Sequence, residues 1–247
     1  MKKVNTRQLA ATGLLGAITI VLGLTPLGFI PVGPTRATIM HVPVIIGSIL
    51  YGPTVGGTVG LIFGCFSLFQ NIVNPTPVSF VFLNPLISVL PRVLVGVVTY
   101  YIYQAAKHMG KLLTQIILGG AGLAMSGYLL VNMYHSVQQN NMWALAINLL
   151  LLIAIIALGI IMFKQFRAFP FEAIVSSLLG SLINTTGVMG LISLLFAERF
   201  IACLGQDPTT ARRAILSIGV LNGIPEAIVA MVLVAILYRI LYKRIHH

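Results

Sequence analysis

Two side chains in this sequence carry charge where charge is costly. Arg92 lies within Asn84-Pro85-Leu86-Ile87-Ser88-Val89-Leu90-Pro91-Arg92-Val93-Leu94-Val95-Gly96, and Glu226 within Asn222-Gly223-Ile224-Pro225-Glu226-Ala227-Ile228-Val229; both stretches are otherwise apolar. A charge at the centre of a bilayer costs roughly 2.5–3.5 kcal/mol on insertion scales, so such residues face a polar cavity or one another. The planar guanidinium fork suits a carboxylate. Glu226 can accept from a hydroxyl or an amide, pair with Arg92, or stand protonated in a dry site. The two residues read as part of a ligand site. A structural ion pair, or an arginine snorkelling to the surface, is the plainer alternative.

Other polar groups fall at helical spacing around this pair. Asn84, Ser88 and Arg92 are four residues apart in turn, so on one helix they project to one side. Pro91 frees the carbonyl of Ile87, and Pro225 that of Leu221. Asn222 shares a face with Glu226. Ser177, Ser181, Asn184 and Thr185 form a stripe, with Asn184 the foremost candidate for a ligand and interhelical bonding the alternative. Thr38 and His41 sit in a short connection, polar at first, where His41 is expected to be hydrated and suits a structural role as well as a contact. Gln70, Asn71 and Asn74 could line a mouth or cap a helix. Ala10, Gly13 and Ala17 are small residues at helical spacing that let another helix approach, within the chain or from another subunit.

The elements that must position these residues are membrane spans. Charged residues make up 8% of 247 and the mean hydropathy is +1.01, against about 25% charged in soluble domains. The net charge of +11 reflects only four acids, Glu172, Glu198, Asp207 and Glu226, so it does not point to nucleic acid. The expected fold class is all-α: a polytopic membrane bundle, one transmembrane domain over 1–247. Its spans are expected at 8–30, 39–51, 54–72, 85–106, 112–131, 142–163, 171–197 and 214–240. The second is half-length, with its ends covered by protein. Region 108–168 holds two plain apolar runs and reads as an inserted transmembrane hairpin. No small-x-small cleavage site follows the first run, which reads as an uncleaved span. Lys2, Lys3, Arg7, Lys107, Lys111, Lys164, Arg167, Arg239, Lys243 and Arg244 fall on one side, and Arg36, Arg199, Arg212 and Arg213 on the other, which places both termini in the cytoplasm. The sequence has no phosphate-binding lysine loop, no metal-ligand spacing and no nucleophile beside a base, so an enzyme, a metal or a cofactor is not expected. Cys65 and Cys203 suggest no disulfide.

The run Ala37-Thr38-Ile39-Met40-His41-Val42-Pro43-Val44-Ile45-Ile46-Gly47, followed by Tyr51-Gly52-Pro53, resembles the second span of substrate-binding (S) components of energy-coupling factor (ECF) vitamin transporters. The motifs around Arg92 and Glu226 are similar to its pantothenate-specific branch, over 1–107 and 169–245. The resemblance implies a six-helix core, here with the hairpin added, that binds a vitamin near its outer face. It also implies a transmembrane coupling (T) subunit met through Gly13 and Ala17, and two ATPase subunits. On that reading Arg92 holds the carboxylate of pantothenate, and Glu226, Asn84, Asn184 and Asn222 read its hydroxyls and amide. The segment from Arg36 to His41, with Thr38, gates the entrance. The rival readings are an S component for another vitamin, a secondary transporter of a small organic anion with Glu226 as proton carrier, and a membrane enzyme or scaffold.

Overall fold

The structure is a computed structural model that describes residues 6–32, 35–164, 169–205 and 207–246. Helix α1 (Thr6–Leu24) opens the bundle. The expected first span continued to residue 30, but Pro26 disfavours helix at Thr25 and the helix stops. The chain then forms an antiparallel hairpin, β1 (Phe29–Val32) with β2 (Thr35–Thr38), in register Phe29↔Thr38 and Val32↔Thr35. The Ile39 N–H closes its base on the Gly28 carbonyl at 3.0 Å.

Helix α2 (Val42–Tyr51) has ten residues, about 15 Å of rise against a hydrocarbon core of about 30 Å. It is buried from Val42 to Ile49, as a half-length element inside protein must be. Gly52, at φ 99°, turns the chain, and Pro53 begins α3 (Pro53–Val73). The expected span 85–106 is broken. A short α4 (Ser79–Phe82) and α5 (Pro85–Ser88) precede α6 (Leu90–Met109), with Val89 between α5 and α6. Pro91 has no N–H to offer Ile87, so α5 does not run on into α6.

Two long helices follow, α7 (Lys111–Gln138) and α8 (Met142–Lys164), then α9 (Phe171–Leu195), a short α10 (Ala197–Cys203) and α11 (Ala211–His246). Helix α9 is the hub, packed on α6, α11, α7 and α2, while α7 and α8 lie together at the periphery. Only 6% of the α8 span is buried, against 56% of the α11 span. Among the described residues, seven helical spans are long and apolar enough to cross a membrane, α5 and α6 counting as one, and α2 is a shorter apolar helix. The protein is a multi-pass helical membrane protein.

Close contact between α3 and α6 aligns the centre. A side-chain carbon at Gly56 would run into the backbone of Gly96, and one at Gly60 into the carbonyl of Arg92. Small residues let the two backbones meet, and the Ser48 hydroxyl donates to the Gly96 carbonyl at 2.6 Å. The start of α6, and with it Arg92, is held against α3.

Candidate functional site

Where α3 ends and α6 begins, the bundle forms a partly open cavity of about 230 Å³. A single water needs only about 10–15 Å³, so the space admits a small organic molecule. Its walls come from six elements. Thr38 ends β2 and Met40 follows it. Phe63, Phe66, Ser67, Gln70 and Asn71 come from α3. Phe82 ends α4 and Arg92 starts α6. Asn184, Thr185, Val188 and Met189 come from α9, and Asn222 and Glu226 from α11.

Arg92 is 6% exposed and points inward, so it does not snorkel. Its Nη1 donates to the Ile87 carbonyl, the group that Pro91 cannot use. Its guanidinium carbon lies 5.3 Å from the centre of the Phe63 ring, a cation–π contact. Nε has no partner. Glu226 is held at both oxygens: Oε1 accepts the Thr38 N–H at 2.8 Å and Oε2 the Thr185 hydroxyl at 2.7 Å. These contacts tie hairpin, α9 and α11 together. No ion pair joins Arg92 to Glu226; each has other partners.

Asn184 is 4% exposed and its Oδ1 is also without a partner. Buried polar atoms are nearly always bonded, so each exception calls for an explanation. Arg92 and Asn184 line the same cavity, and a cationic donor beside an amide suits a ligand carrying both an anionic group and a hydroxyl or amide. Asn222 is buried beside them. A wider recess of about 970 Å³, between the end of α9 and the start of α11, is lined by Glu198, Arg199, Arg212 and Arg213. None of the unpartnered buried atoms lies there.

The structure thus gathers Arg92, Asn184, Asn222, Glu226 and Thr38 around one space, and leaves two expected contacts outside it. Asn84 caps α5, its side chain accepting from the Leu86 N–H at 3.0 Å. The break at Val89 removes the single face that Asn84 was expected to share with Arg92. His41 was expected to be hydrated but is fully buried as the residue that starts α2, and it does not line the cavity. Its ring nitrogens find no partner of full hydrogen-bond geometry. Ser88 and Ser177 bond to main-chain carbonyls of Phe82 and Ile174. Gln70 and Asn71 line the cavity, whereas Asn74 ends α3. The Arg36 side chain lies outside what is described. Ala10, Gly13 and Ala17 are exposed, and nothing lies within 4 Å of where a Gly13 side chain would start, so this face does not pack within the chain. Among the described residues no cluster of three or more His, Cys, Asp or Glu could hold a metal.

Residues 7–168 match the family model described as ECF transporter, substrate-specific component. The match crosses the 108–168 region, which was expected to stand apart, and ends before α9. The chain is 33% identical over 124 residues to the pantothenic acid transporter PanT of Lactococcus lactis subsp. cremoris, covering 44% of this chain and 63% of that protein. It is 34% identical over 104 residues to the pantothenate transporter PanT of Leuconostoc mesenteroides subsp. mesenteroides, covering 40% of this chain and 51% of that protein. The chain therefore spans between half and two thirds of the length of these curated relatives.

Proposed function

The chain belongs to the family of substrate-specific components of ECF transporters, and from that premise we propose that its cavity captures pantothenate for uptake. The observation that carries the reading is that Arg92 and Asn184, each with a buried polar atom that has no protein partner, line one cavity. Pantothenate carries a carboxylate, an amide and two hydroxyls. Arg92 takes the carboxylate, and its contacts with Ile87 and Phe63 fix the fork beforehand. Asn184 accepts from a hydroxyl or the amide N–H, and Asn222 and Gln70 complete the polar wall. A carboxylate has about four lone-pair sites, so Glu226 can still accept from the ligand while bound to Thr38 and Thr185. Thr38 reaches the ligand at the cavity wall. His41 and Asn84 support it from behind, by starting α2 and capping α5. The names of the two similar proteins agree with this ligand.

In the same proposal the chain binds its substrate without transforming it. Both termini are cytoplasmic and the cavity opens outward past the hairpin, which gates it. The exposed Ala10, Gly13 and Ala17 face docks on a transmembrane coupling subunit that works with two ATPase subunits.

Equilibrium binding of labelled pantothenate to the purified chain in detergent tests this. Wild type is expected to bind, and Arg92→Ala to bind at least about 30-fold more weakly, since truncating one side of a buried charge pair costs roughly 2–5 kcal/mol. A folded wild type that ignores pantothenate sinks the ligand. An Arg92→Ala variant of full affinity sinks the site.

A further inference from the structure

A second cavity lies on the lipid-facing side of the bundle. It is a groove of about 380 Å³ between α8 and α11, walled by Leu158, Ile161, Phe169, Ala235 and Ile236 and carrying Arg239 as its one charged group. On α11 the groove runs from Val232 to Ile240, about 12 Å of helix. That is most of the roughly 15 Å depth of one leaflet's hydrocarbon. Small side chains, Ala154 and Ala157 on α8 and Ala235 on α11, keep it open.

We propose that this groove binds one anionic phospholipid, with an acyl chain along the apolar walls and the phosphate on Arg239. The charge fits. Arg239 is exposed, and none of the four acids of the chain lines the groove. A guanidinium fork matches phosphate oxygens in pairs. Further positive charge is near in sequence: Lys164 is one turn beyond Ile161 on α8, and Lys243 and Arg244 follow Arg239. Basic pockets between transmembrane helices are where acidic headgroups bind. The lining fits as well. Apart from Phe169 and Arg239 the walls of the groove are aliphatic, which suits a chain of methylenes. The alternation of neighbours on α11 agrees: Tyr238 turns inward, its hydroxyl 2.8 Å from that of Tyr103, and Arg239 turns out.

The test is native mass spectrometry of the chain released from bilayers of equal parts phosphatidylglycerol and phosphatidylcholine. Wild type is expected to retain one phosphatidylglycerol in preference to phosphatidylcholine. Arg239→Gln is expected to lower that retention about 10-fold, the scale of one charge-assisted hydrogen bond. Ala157→Trp, which fills the groove, abolishes retention. Unchanged melting temperature in Arg239→Gln shows that the fold is intact. Equal retention of the two lipids, persistence of the adduct in both variants, or a groove occupied by a second copy of the chain would overturn the proposal. Pantothenate binding plays no part in the readout, so the two readings stand or fall separately.

Discussion

The bundle around the cavity and the α7–α8 pair are built from the same kinds of residue and packed on opposite terms. At the centre, glycines are places of contact: Gly56 and Gly96 meet backbone to backbone, and Gly60 touches the carbonyl of Arg92. In α7, nothing lies within 4 Å of where side chains at Gly119, Gly120 and Gly127 would start. Polar groups divide in the same way. Arg92, Asn184, Asn222 and Glu226 are buried around one space, whereas polar side chains of the hairpin such as Thr114, Ser136 and Asn148 bond back to their own helix. Lipid is as apolar as leucine, so apolar faces alone do not hold membrane helices together. The comparison teaches that close backbone contact and polar groups gathered around one space mark the working half. The outer pair bonds these polar groups within its own helices and leaves most of α8 to the bilayer.

The sharpest way to break this contrast is to place a side chain on glycine in each region. Gly96→Val is expected to cost at least about 3 kcal/mol, the upper range of overpacking, and to yield little folded protein. Gly127→Ala is expected to shift stability by no more than about 1 kcal/mol, toward stabilisation, because alanine favours helix. Thermal melting in detergent reads both, and equal damage from the two would end the distinction. A middle-sized effect is expected at the polar centre. Thr185→Val keeps the shape but removes the donor to Glu226. A hydrogen bond to a charged group contributes about 1.5–3 kcal/mol, so pantothenate binding should weaken about 10-fold or more. Unaltered affinity would show that Glu226 needs no such support. The smallest effect is expected on the outer pair: Leu130→Ala, on an exposed position of α7, should leave affinity within about 2-fold. A larger loss would make the hairpin part of the binding unit.

Much of the site was legible because it is written as contrast. An arginine, a glutamate and two asparagines inside apolar runs stand out by type alone, and the spans around them follow from length and hydropathy. What escaped has no contrast. Phe63 stacks on Arg92, but a phenylalanine in an apolar helix looks like any other. Thr185 was seen as part of a stripe, yet its bond to Glu226 joins residues 41 positions apart. Gly56, Gly60 and Gly64, spaced four apart on α3, were a readable signal for the close approach to α6. His41 was misplaced because nearness to a polar connection in sequence is not depth. The β-hairpin takes up that connection, and α2 starts inside the protein. The hairpin itself is two four-residue strands with a proline in one, too short to show alternation.

The fastening of that hairpin to α11 has a consequence for genetics. Glu226 receives an amide hydrogen of the main chain at Thr38, not a side-chain group. Every residue type except proline carries that hydrogen, so a change of side chain at this position leaves this bond in place. An alanine scan would remove only the hydroxyl and its 3.2 Å bond from the Met40 N–H, and would pass over the tie between the ribbon and the acid on α11. Proline alone would report it, so a catalogue of tolerated substitutions would understate how firmly this point of the chain is anchored.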